Sequence, residues 1–510
     1  MPVETELKLR LPSSQAALLA SHPLLQGVVA HRCRLFNTYY DTPDLDLAAH
    51  RIALRLRRKG RSTWLMTVKG GDSGAGGLAQ RNEWEAPTEP GVFDFGIVTD
   101  PDLRDLLESC RATLQPLFTT DFTRTSWLLR RGEAAVEIAF DRGRIGAGSS
   151  ASSASATGTK REMICELELE LVEGTSSDVL FDIAMELAAD MRLHPEVSSK
   201  AERGYALALG AASPPAKAFA SPVRKGMSPD DAFRSIALAS VLQLQRNEAG
   251  AVAGEDPEYV HQARVAIRRL RSAFRLFSPV LTEAFIEVYS SRWRDLAKSL
   301  GDARDWDVFL SETLAPLEEA FPGDPDLRIL RERSEAAKAK ARKVAGVALG
   351  QNEYSRLLLA FSAALLRGEP PTIAAHRKAV SGSLRKFVAK RLEKRVAAID
   401  RFTNGSGKMN AERWHKLRIE FKKLRYAVEF FSPLMSGKRL VAYQTALAAI
   451  QDQLGRLNDQ ATASRLIRDI HPKGEPDPLT QGWIAGRTDL LISSLNEELR
   501  RFAARKKPWR

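Results

Sequence analysis

The sequence has little cysteine and no long apolar run. Three cysteines occur in 510 residues, and no two of them form a CxxC pair. This spacing excludes a disulfide framework and a cysteine-rich zinc site, and it favours buried thiols in a reducing compartment. No apolar stretch approaches the roughly 18 to 20 residues that a membrane-spanning helix needs, and charges interrupt the first ten positions. We therefore expect a cytoplasmic protein with neither a membrane span nor a signal peptide.

Charge is distributed unevenly along the chain, whose formal net charge is +13. Residues 1–210 contain 24 Lys and Arg against 29 Asp and Glu, whereas the remaining residues contain 52 against 34. An acidic half is therefore joined to a strongly basic half, which predicts a polyanionic partner for the second half. The charge alone does not distinguish nucleic acid, an anionic membrane and polyphosphate.

A segment rich in Ala, Pro and Ser separates the two halves. It covers residues 208–227 and has no hydrophobic periodicity, which predicts a linker between a domain at 1–207 and a domain at 228–505. A second low-complexity stretch, at residues 146–159, predicts a long loop between two strands of the first domain.

The first half alternates charged and apolar residues with a period of two. The alternating segments are residues 3–11, 53–58, 81–85, 136–141 and 165–171. Because side chains alternate across a strand, each segment predicts a strand with one charged face. A solvated sheet face is the simplest explanation, but rows of carboxylates alternate here with rows of arginines, and stacked carboxylates repel unless cations lie among them. A barrel with the charges inward could bind divalent cations and phosphate oxygens together, as phosphoryl transfer requires.

These segments resemble the CYTH domain of the triphosphate tunnel metalloenzymes. Residues 4–8 match its ExExK signature. The other matching residues follow in family order: Tyr39 to Thr42, Arg55 and Arg57, Lys69, Glu83 and Glu85, Arg124, Glu166 with Glu168 and Glu170, and Lys200 with Arg203. The resemblance covers about residues 1–207. It implies an eight-stranded antiparallel β tunnel that binds a linear triphosphate.

The resemblance also implies roles for individual residues. Mg²⁺ or Mn²⁺ would be bound by Glu4, Glu6, Glu168 and Glu170, with one ion activating a water molecule. Triphosphate would be bound by Lys8, Arg55, Arg57, Lys69, Arg124, Lys200 and Arg203. Lys8, Glu168 and Glu170 would be catalytic, and Lys8 would neutralise phosphate charge or assist proton transfer. No matched charged residue is missing, so we expect an active site.

The second half contains an internal repeat with an offset of 154 residues. Residues 261–279 align without gaps with residues 415–433, and the same offset relates Asp305 to Asp459. At about 100° per residue, each copy predicts a helix with a basic row beside an apolar row. The basic rows are His261, Arg264, Arg268 and Arg271 in the first copy, and His415, Arg418, Lys422 and Arg425 in the second.

These rows contain no interleaved carboxylates, although like charges at helical spacing repel. Their duplication therefore favours an anion site over two solvated basic faces. The histidines are expected to add cationic hydrogen-bond donors below a pH of about 6.5. For Asp305 and Asp459, a helix cap or an ion pair is favoured over a metal site.

The duplicated His-x-x-Arg pattern resembles the CHAD domain, an all-α helical domain of two related four-helix halves. The resemblance covers roughly residues 228–505. It implies binding of inorganic polyphosphate along a basic channel and a location at polyphosphate granules. No nucleic-acid-binding motif accompanies the charge, so polyphosphate is favoured over DNA or RNA.

The two resemblances together predict an α+β multidomain, metal-dependent hydrolase. It would cleave inorganic triphosphate to pyrophosphate and phosphate, and its second domain would bind polyphosphate. Thiamine triphosphatase and class IV adenylate cyclase activities are alternatives because the same tunnel supports both. A non-catalytic, granule-associated polyphosphate-binding protein is a third alternative. The four predicted metal-binding carboxylates favour an enzyme, because a pure binder would not need them.

Overall fold

The computed structural model describes residues 3–71, 74–148, 160–210, 213–254, 256–367, 384–403, 409–435, 437–471 and 478–509. The chain forms two compact units. The first comprises Met1–Pro215 and Gln351–Glu369, and the second comprises Ala216–Gly350 and Pro370–Arg510. Residues 149–159 of the predicted loop lie outside the described part of the chain, as do residues 211–212 of the predicted linker.

Eight antiparallel strands form a closed barrel in the first unit. They are β1 (Val3–Arg10), β2 (Ala30–Asp41), β3 (Ile52–Lys59), β4 (Thr63–Gly70), β5 (Leu78–Thr88), β6 (Gln115–Arg131), β7 (Ala134–Ala147) and β8 (Lys160–Glu173). Their spatial order is β1-β5-β4-β3-β2-β6-β7-β8, and β8 pairs with β1 to close the barrel. A short strand, β9 (His194–Pro195), pairs with the end of β1. The predicted eight-stranded antiparallel tunnel is confirmed.

Helices make up most of the rest of the described fold. The first unit contains α1 (Ala16–Ala20), α2 (Asp46–Ala49), α3 (Pro101–Cys110), α4 (Asp178–Asp190) and α5 (Lys200–Leu209). The later helices are α6 (Pro229–Ala253), α7 (Pro257–Phe277), α8 (Glu283–Ser299), α9 (Gly301–Val308), α10 (Ala315–Ala320), α11 (Pro325–Gly350), α12 (Asn352–Leu366), α13 (Leu384–Thr403), α14 (Ala411–Phe430), α15 (Lys438–Ile470) and α16 (Pro478–Ala503). A π-helical segment, Phe309–Leu314, joins α9 to α10. Of these later helices, α12 belongs to the first unit.

The strand register places the alternating charges on the inner face of the barrel. Glu6 lies opposite Glu170 and Lys8 lies opposite Glu168 in the β1–β8 pair. Directly opposite residues share a face of an antiparallel pair, so these four side chains point the same way. Their apolar neighbours in sequence point outward into the apolar layers that helices cover. The period-two pattern therefore describes a polar interior and an apolar exterior.

The apolar layers outside the barrel hold the first unit together. Leu7 and Leu169 pack with Ile183 of α4 in the largest cluster, and Leu359 and Ala363 of α12 belong to the same cluster. On another side, apolar residues of β3, β4 and β5 pack with α3. A polar interior contributes little hydrophobic stabilisation, so these outer layers supply most of it.

The second unit is helical throughout its described residues. Its duplicated helices, α7 and α14, contact each other. The predicted apolar rows are buried, as Phe277 and Phe421 illustrate with fully buried rings. Among the described residues of both units, no helix is both long and apolar enough to cross a membrane.

The packing of α12 predicts a stability effect in the barrel. Leu359→Ala should destabilise the first unit by about 2–5 kcal/mol, because it leaves a cavity against α4 and β1. Hydrogen exchange of peptides from β1 and β8 measures the opening of this unit alone. Val347→Ala on α11 is the matched control, since Val347 is 52% exposed. Wild-type protection of β1 and β8 in Leu359→Ala would show that α12 does not support the barrel.

Candidate functional site

One part of the barrel interior combines carboxylates with two lysines. The Lys69 ammonium lies 2.6 Å from Glu4 and 3.0 Å from Glu83. On the same strand as Glu4, the Lys8 ammonium lies 2.8 Å from the Glu6 carboxylate. Each of these cations therefore already has a carboxylate partner.

Glu137 and Glu170 lie opposite each other in this region without such partners. They are paired in the β7–β8 register, and Glu6 lies opposite Glu170 on its other side. Among the described residues, neither Glu137 nor Glu170 has an ion pair within 4.0 Å. Burial and the nearby carboxylates of Glu4, Glu137 and Glu83 raise the pKa of Glu170 to about 7. A bound cation would relieve this repulsion, and carboxylate oxygens are the ligands that Mg²⁺ and Mn²⁺ prefer.

A second acidic group, formed by Asp141, Glu166 and Glu168, is already neutralised by the protein. Within the described ranges, it is the one set of three potential ligand residues whose oxygens lie within 4.8 Å of one another. The Lys200 ammonium lies 2.8 Å from Asp141 and 2.9 Å from Glu168, and it also pairs with Glu166. This ammonium therefore supplies the positive charge that a metal would otherwise bring.

Arg124 completes this second group. It donates two hydrogen bonds to Asp141, of 2.8 and 2.7 Å, and one to Glu168, of 2.5 Å. Although burial opposes ionisation, Lys200 and Arg124 hold the pKa of Glu168 well below its usual value. Of the four predicted metal ligands, Glu168 is thus the one most strongly engaged by cations.

The local sequence explains why Lys200 reaches the carboxylates. Ser199 and Glu202 form a capping box at the start of α5: the Glu202 amide donates to the Ser199 hydroxyl, and the Ser199 amide donates to the Glu202 carboxylate. This arrangement places Lys200 at the first helical position. Further along α5, the Tyr205 hydroxyl donates to Asp41 at 2.8 Å, which joins the helix to the Tyr-Tyr-Asp-Thr segment.

The guanidinium groups of Arg55 and Arg57 form the basic side of the interior. Arg57 donates to the Asn37 amide oxygen at 2.9 Å and lies 3.6 Å from Glu85. Burial and the neighbouring Arg55 and Arg124 lower the pKa of Arg57 to about 10. The mutual repulsion of these cations favours binding of an anion between them, and arginine binds phosphate in a bidentate manner.

Arg203 is, like Lys200 and Arg124, held by acceptors of the protein itself. It donates to Glu162, to Glu166 and to the backbone carbonyl oxygen of Met163, each at 2.7 Å. These contacts make Arg203 a support for Glu166 in the structure.

Several interior residues were not among the predicted site residues. They are Asn37, Glu83, Glu85, Glu137, Asp141 and Glu166, all of which contact or face predicted ones. The signal for five of them was present, because each lies on the charged face of an alternating segment or next to a matched motif residue. Asn37 carries no charge and had no such signal.

In the second unit, four predicted residues form what we call the basic cluster: Arg264 and Arg268 on α7, with Arg418 and Lys422 on α14. Burial and the neighbouring Arg418, Arg268 and Arg264 lower the pKa of Lys422 to about 6. This mutual influence shows that the two copies of the repeat bring their cations together.

The basic cluster has more positive charge than the protein neutralises. Within the described part of the chain, Arg418 and Lys422 have neither an ion pair within 4.0 Å nor a hydrogen bond. Arg264 lies 3.8 Å from Asp305, and its Nη1 atom is buried without a hydrogen bond. Arg268 donates to the Tyr426 hydroxyl. Unpaired buried cations are costly, so this cluster favours a bound polyanion.

The other predicted basic residues lie outside the cluster. Arg271 faces Arg275 and Arg294, and Arg425 donates to Glu429 at 2.7 Å. His415 is exposed, and its Nδ1 atom lies 3.0 Å from the Asn458 side-chain oxygen.

His261 borders the cluster, and Asp305 lies beside it. Burial and the cations Arg304, Arg268 and Arg264 lower the pKa of His261 to about 4. It therefore stays neutral at pH 6.5, unlike the unperturbed histidine that we expected. Asp305 pairs with Arg465 at 3.3 Å, which fits the ion-pair interpretation.

The closed barrel with a charged interior is typical of one class of domain, and the duplicated basic helices that follow it are typical of another. The chain combines a CYTH domain, matched over residues 2–205, with a CHAD domain, matched over residues 235–468.

The curated proteins that are similar to this chain include the following two. One is the inorganic triphosphatase of Haemophilus influenzae, which is 34% identical over 209 residues. That match covers 40% of this chain and 54% of the relative, so it spans about half of the relative's length. The other is an uncharacterised protein of Mycobacterium tuberculosis, 26% identical over 447 residues, covering 82% of this chain and 79% of the relative.

Solved structures with similarity to this chain include the CHAD domain from the plant Ricinus communis. It is 29% identical, with a TM-score of 0.48, and the match covers 58% of this chain and 98% of that chain. PptA from Streptomyces chartreusis is 18% identical, with a TM-score of 0.38, and the match covers 54% of this chain and 98% of that chain.

The position of Lys200 among three carboxylates predicts a large stability loss on its removal. Lys200→Met should destabilise the first unit by about 3–5 kcal/mol, because it leaves buried carboxylates without their cation. Hydrogen exchange of β7 and β8 peptides measures this loss. Lys160→Met is the control, since Lys160 is exposed on the same sheet. If both variants exchange like the wild type, Lys200 does not neutralise this group.

Proposed function

We propose that the first domain hydrolyses inorganic triphosphate to pyrophosphate and phosphate with Mg²⁺ or Mn²⁺, and that the second domain binds inorganic polyphosphate. The observation that carries the catalytic part is the sorting of charge within one closed interior. Carboxylates without cation partners, Glu137 and Glu170, lie on one side, and the arginines Arg55 and Arg57 lie on the other. A metal–triphosphate complex would match both regions, because its metal cation is attracted to the carboxylates and its phosphate oxygens are attracted to the arginines.

The carboxylates around Glu170 fit the proposed metal. Glu4, Glu6 and Glu170 would hold the ion, and Glu137 adds a carboxylate that sequence reasoning did not assign. Glu168, the fourth predicted ligand, is held by Arg124 and Lys200. When bound, the metal would neutralise phosphate charge and lower the pKa of a coordinated water.

The protein's own cations would bind and orient the triphosphate. Arg55 and Arg57 offer guanidinium groups to phosphate oxygens, and Lys69 and Lys8 lie where the basic and acidic regions meet. Such contacts would hold the triphosphate so that water attacks its terminal phosphorus in line with the departing pyrophosphate. Burial in the closed barrel limits competing water and strengthens each contact.

Inorganic triphosphate is the preferred substrate because the Haemophilus influenzae relative is named an inorganic triphosphatase. Thiamine triphosphate and ATP offer the same phosphate chain. Incubating the purified full-length protein with each of the three compounds, with either metal or with a chelator, identifies the substrate from the products. Formation of cyclic AMP and pyrophosphate from ATP would instead support the cyclase alternative.

The metal proposal predicts the behaviour of two carboxylate variants. Glu6→Gln and Glu170→Gln should each lower phosphate release from tripolyphosphate about 100-fold at saturating metal, equivalent to about 2.7 kcal/mol. Each change removes a ligand charge with little change in volume. Glu133→Gln is the control, because Glu133 is exposed in the turn between β6 and β7. Near wild-type turnover of both folded variants would contradict a metal held by these residues.

The proposal for the second domain depends on the unpaired cations of the basic cluster. Arg418 and Lys422 lack protein partners in the described residues, and Arg264 and Arg268 add charge from the other repeat. A linear polyanion can contact both helices at once, and each contact releases counterions, so binding should weaken as salt rises. We also propose the predicted division at 1–207 and 228–505, with the exception of Gln351–Glu369, which belongs to the first unit. A cytoplasmic location and an association with polyphosphate granules are part of the same proposal.

The lowered pKa of Lys422 predicts pH-dependent polyphosphate binding. In the free protein Lys422 is largely neutral at pH 8, because its burial and the charges of Arg418, Arg268 and Arg264 outweigh Asp459. It therefore takes up a proton when an anion binds. Affinity should therefore rise as the pH falls from 8 to 6. Lys422→Met should lower affinity about tenfold at pH 6, less at pH 8, and abolish the proton uptake.

Calorimetry in buffers of different ionisation enthalpy measures both the affinity and the proton uptake. Arg271→Gln is the matched control, because Arg271 lies on α7 outside the cluster. Equal losses in Lys422→Met and Arg271→Gln would indicate a nonspecific basic surface. Unchanged affinity in Lys422→Met would place the polyanion elsewhere.

A further inference from the structure

A cavity of about 250 Å³ lies within the second unit, between α14, α15 and α16. Its wall includes apolar side chains such as Leu457 and Ile484. Trp414 and Arg418 line it from α14, and Gln460 and Ser464 line it from α15. Arg418 also belongs to the basic cluster, so the proposed polyphosphate site adjoins this cavity.

The internal repeat shows that the cavity is specific to the second copy. At the offset of 154 residues, Gln460 corresponds to Trp306 and Ser464 corresponds to Leu310. Trp306 and Leu310 are both buried, and the Trp306 ring packs edge-on against Phe309. The first copy therefore has two large apolar side chains where the second has two smaller polar ones.

A repeated hydrogen bond supports this alignment at the far wall of the cavity. The Thr488 hydroxyl donates to the Ile484 carbonyl oxygen at 2.7 Å, and the Ser334 hydroxyl donates to the Leu330 carbonyl oxygen at 2.7 Å. Both pairs are related by the same offset of 154 residues. The two copies thus place α11 and α16 at equivalent positions, although the first-copy counterpart of α15 is divided among α8, α9, the π-helical segment Phe309–Leu314 and α10. Beside these helices the first copy has bulky apolar side chains where the second has smaller polar ones.

Three residues of the cavity wall have polar atoms without partners. Trp414 Nε1, Arg418 Nε and Gln460 Oε1 are buried and make no hydrogen bond within the described part of the chain. Leaving a buried donor or acceptor unpaired is unfavourable, and such groups in a cavity commonly mark a binding site. Together they offer two donors, one of them cationic, and one acceptor beside apolar walls.

We propose that this cavity binds a small anion composed of a planar ring with polar edge atoms and one anionic group. The ring would lie against Leu457 and Ile484, its edge atoms would pair with Trp414 and Gln460, and the anionic group would pair with Arg418. The volume lies just below the range typical of drug-sized ligands, so a single ring system with a short substituent fits. Pyrimidine carboxylates and indole carboxylates share this chemistry.

The test uses the full-length protein and calorimetric titration with uracil-6-carboxylate and with indole-3-carboxylate. Acetate, uracil and indole are the partial probes, because acetate lacks the ring and the other two lack the charge. In the outcomes below, each complete probe is compared with acetate and with its own uncharged ring. At least one complete probe should bind about tenfold or more tightly than both partial probes. The complete probe that binds more tightly identifies the source of the ligand. Equal binding of complete and partial probes, or no binding of any, overturns the proposal.

A variant copied from the first repeat locates the binding. Gln460→Trp with Ser464→Leu should fill the cavity and lower affinity for the bound probe about tenfold or more. Arg418→Gln should do the same through loss of the anionic contact, so the result does not depend on one variant folding. Val441→Leu, at an exposed position of α15, is the control. Retained affinity in both test variants would place the probe elsewhere.

The polyphosphate proposal can be separated from this one. The filled variant keeps Arg264, Arg268, Arg418 and Lys422, so its polyphosphate affinity should match that of the wild type. Loss of probe binding with retained polyphosphate binding supports the cavity as a distinct site. Parallel loss of both would instead show that the cavity is part of the polyphosphate site and would overturn the proposal.

Discussion

The burial of charge inside a closed barrel is the constraint on which the first unit depends. Inward side chains cannot reach bulk water freely, so each charge needs a partner or a ligand. Lys200 and Arg124 satisfy Asp141, Glu166 and Glu168 within the protein. Glu170 is not satisfied in this way, and its pKa rises accordingly. The carboxylates that the protein leaves unpaired, rather than the paired ones, therefore indicate where a cation would bind.

In the second unit, the buried charges that lack sufficient partners are positive rather than negative. Four cations from two copies of one helix converge, and Asp305 and Asp459 lie nearby without neutralising all of them. The two copies have also diverged beside this cluster. Trp306 is replaced by Gln460, so one copy has a filled core where the other has a cavity. A duplicated fold can thus lose a core contact in one copy, and the space that this loss leaves is the site that we propose for a second ligand.

In the first unit, stability and chemistry occupy different sides of the same strands. The apolar outer layer, which includes Leu7, Leu169 and Leu359, supplies hydrophobic free energy, whereas the interior uses charge that is costly to bury. Substitutions on the outer side should therefore change folding stability more than chemistry. The participation of α12 in that layer also means that residues far along the chain support the strands that carry the interior carboxylates.

Sequence patterns determined the charged faces of the strands and the duplicated basic helices, because a period of two, a helical period and a repeat offset are local or self-comparing patterns. The closed eight-stranded barrel was implied by the family resemblance. Neither of these determined which charges pair. Lys200 meets Asp141 and Glu168 only because the barrel closes and α5 begins beside it. Likewise, Arg268 joins Lys422 while Arg271 faces away, since neighbouring helices decide which part of a continuous basic row is enclosed. Those choices depend on contacts between distant segments, which only the tertiary structure sets.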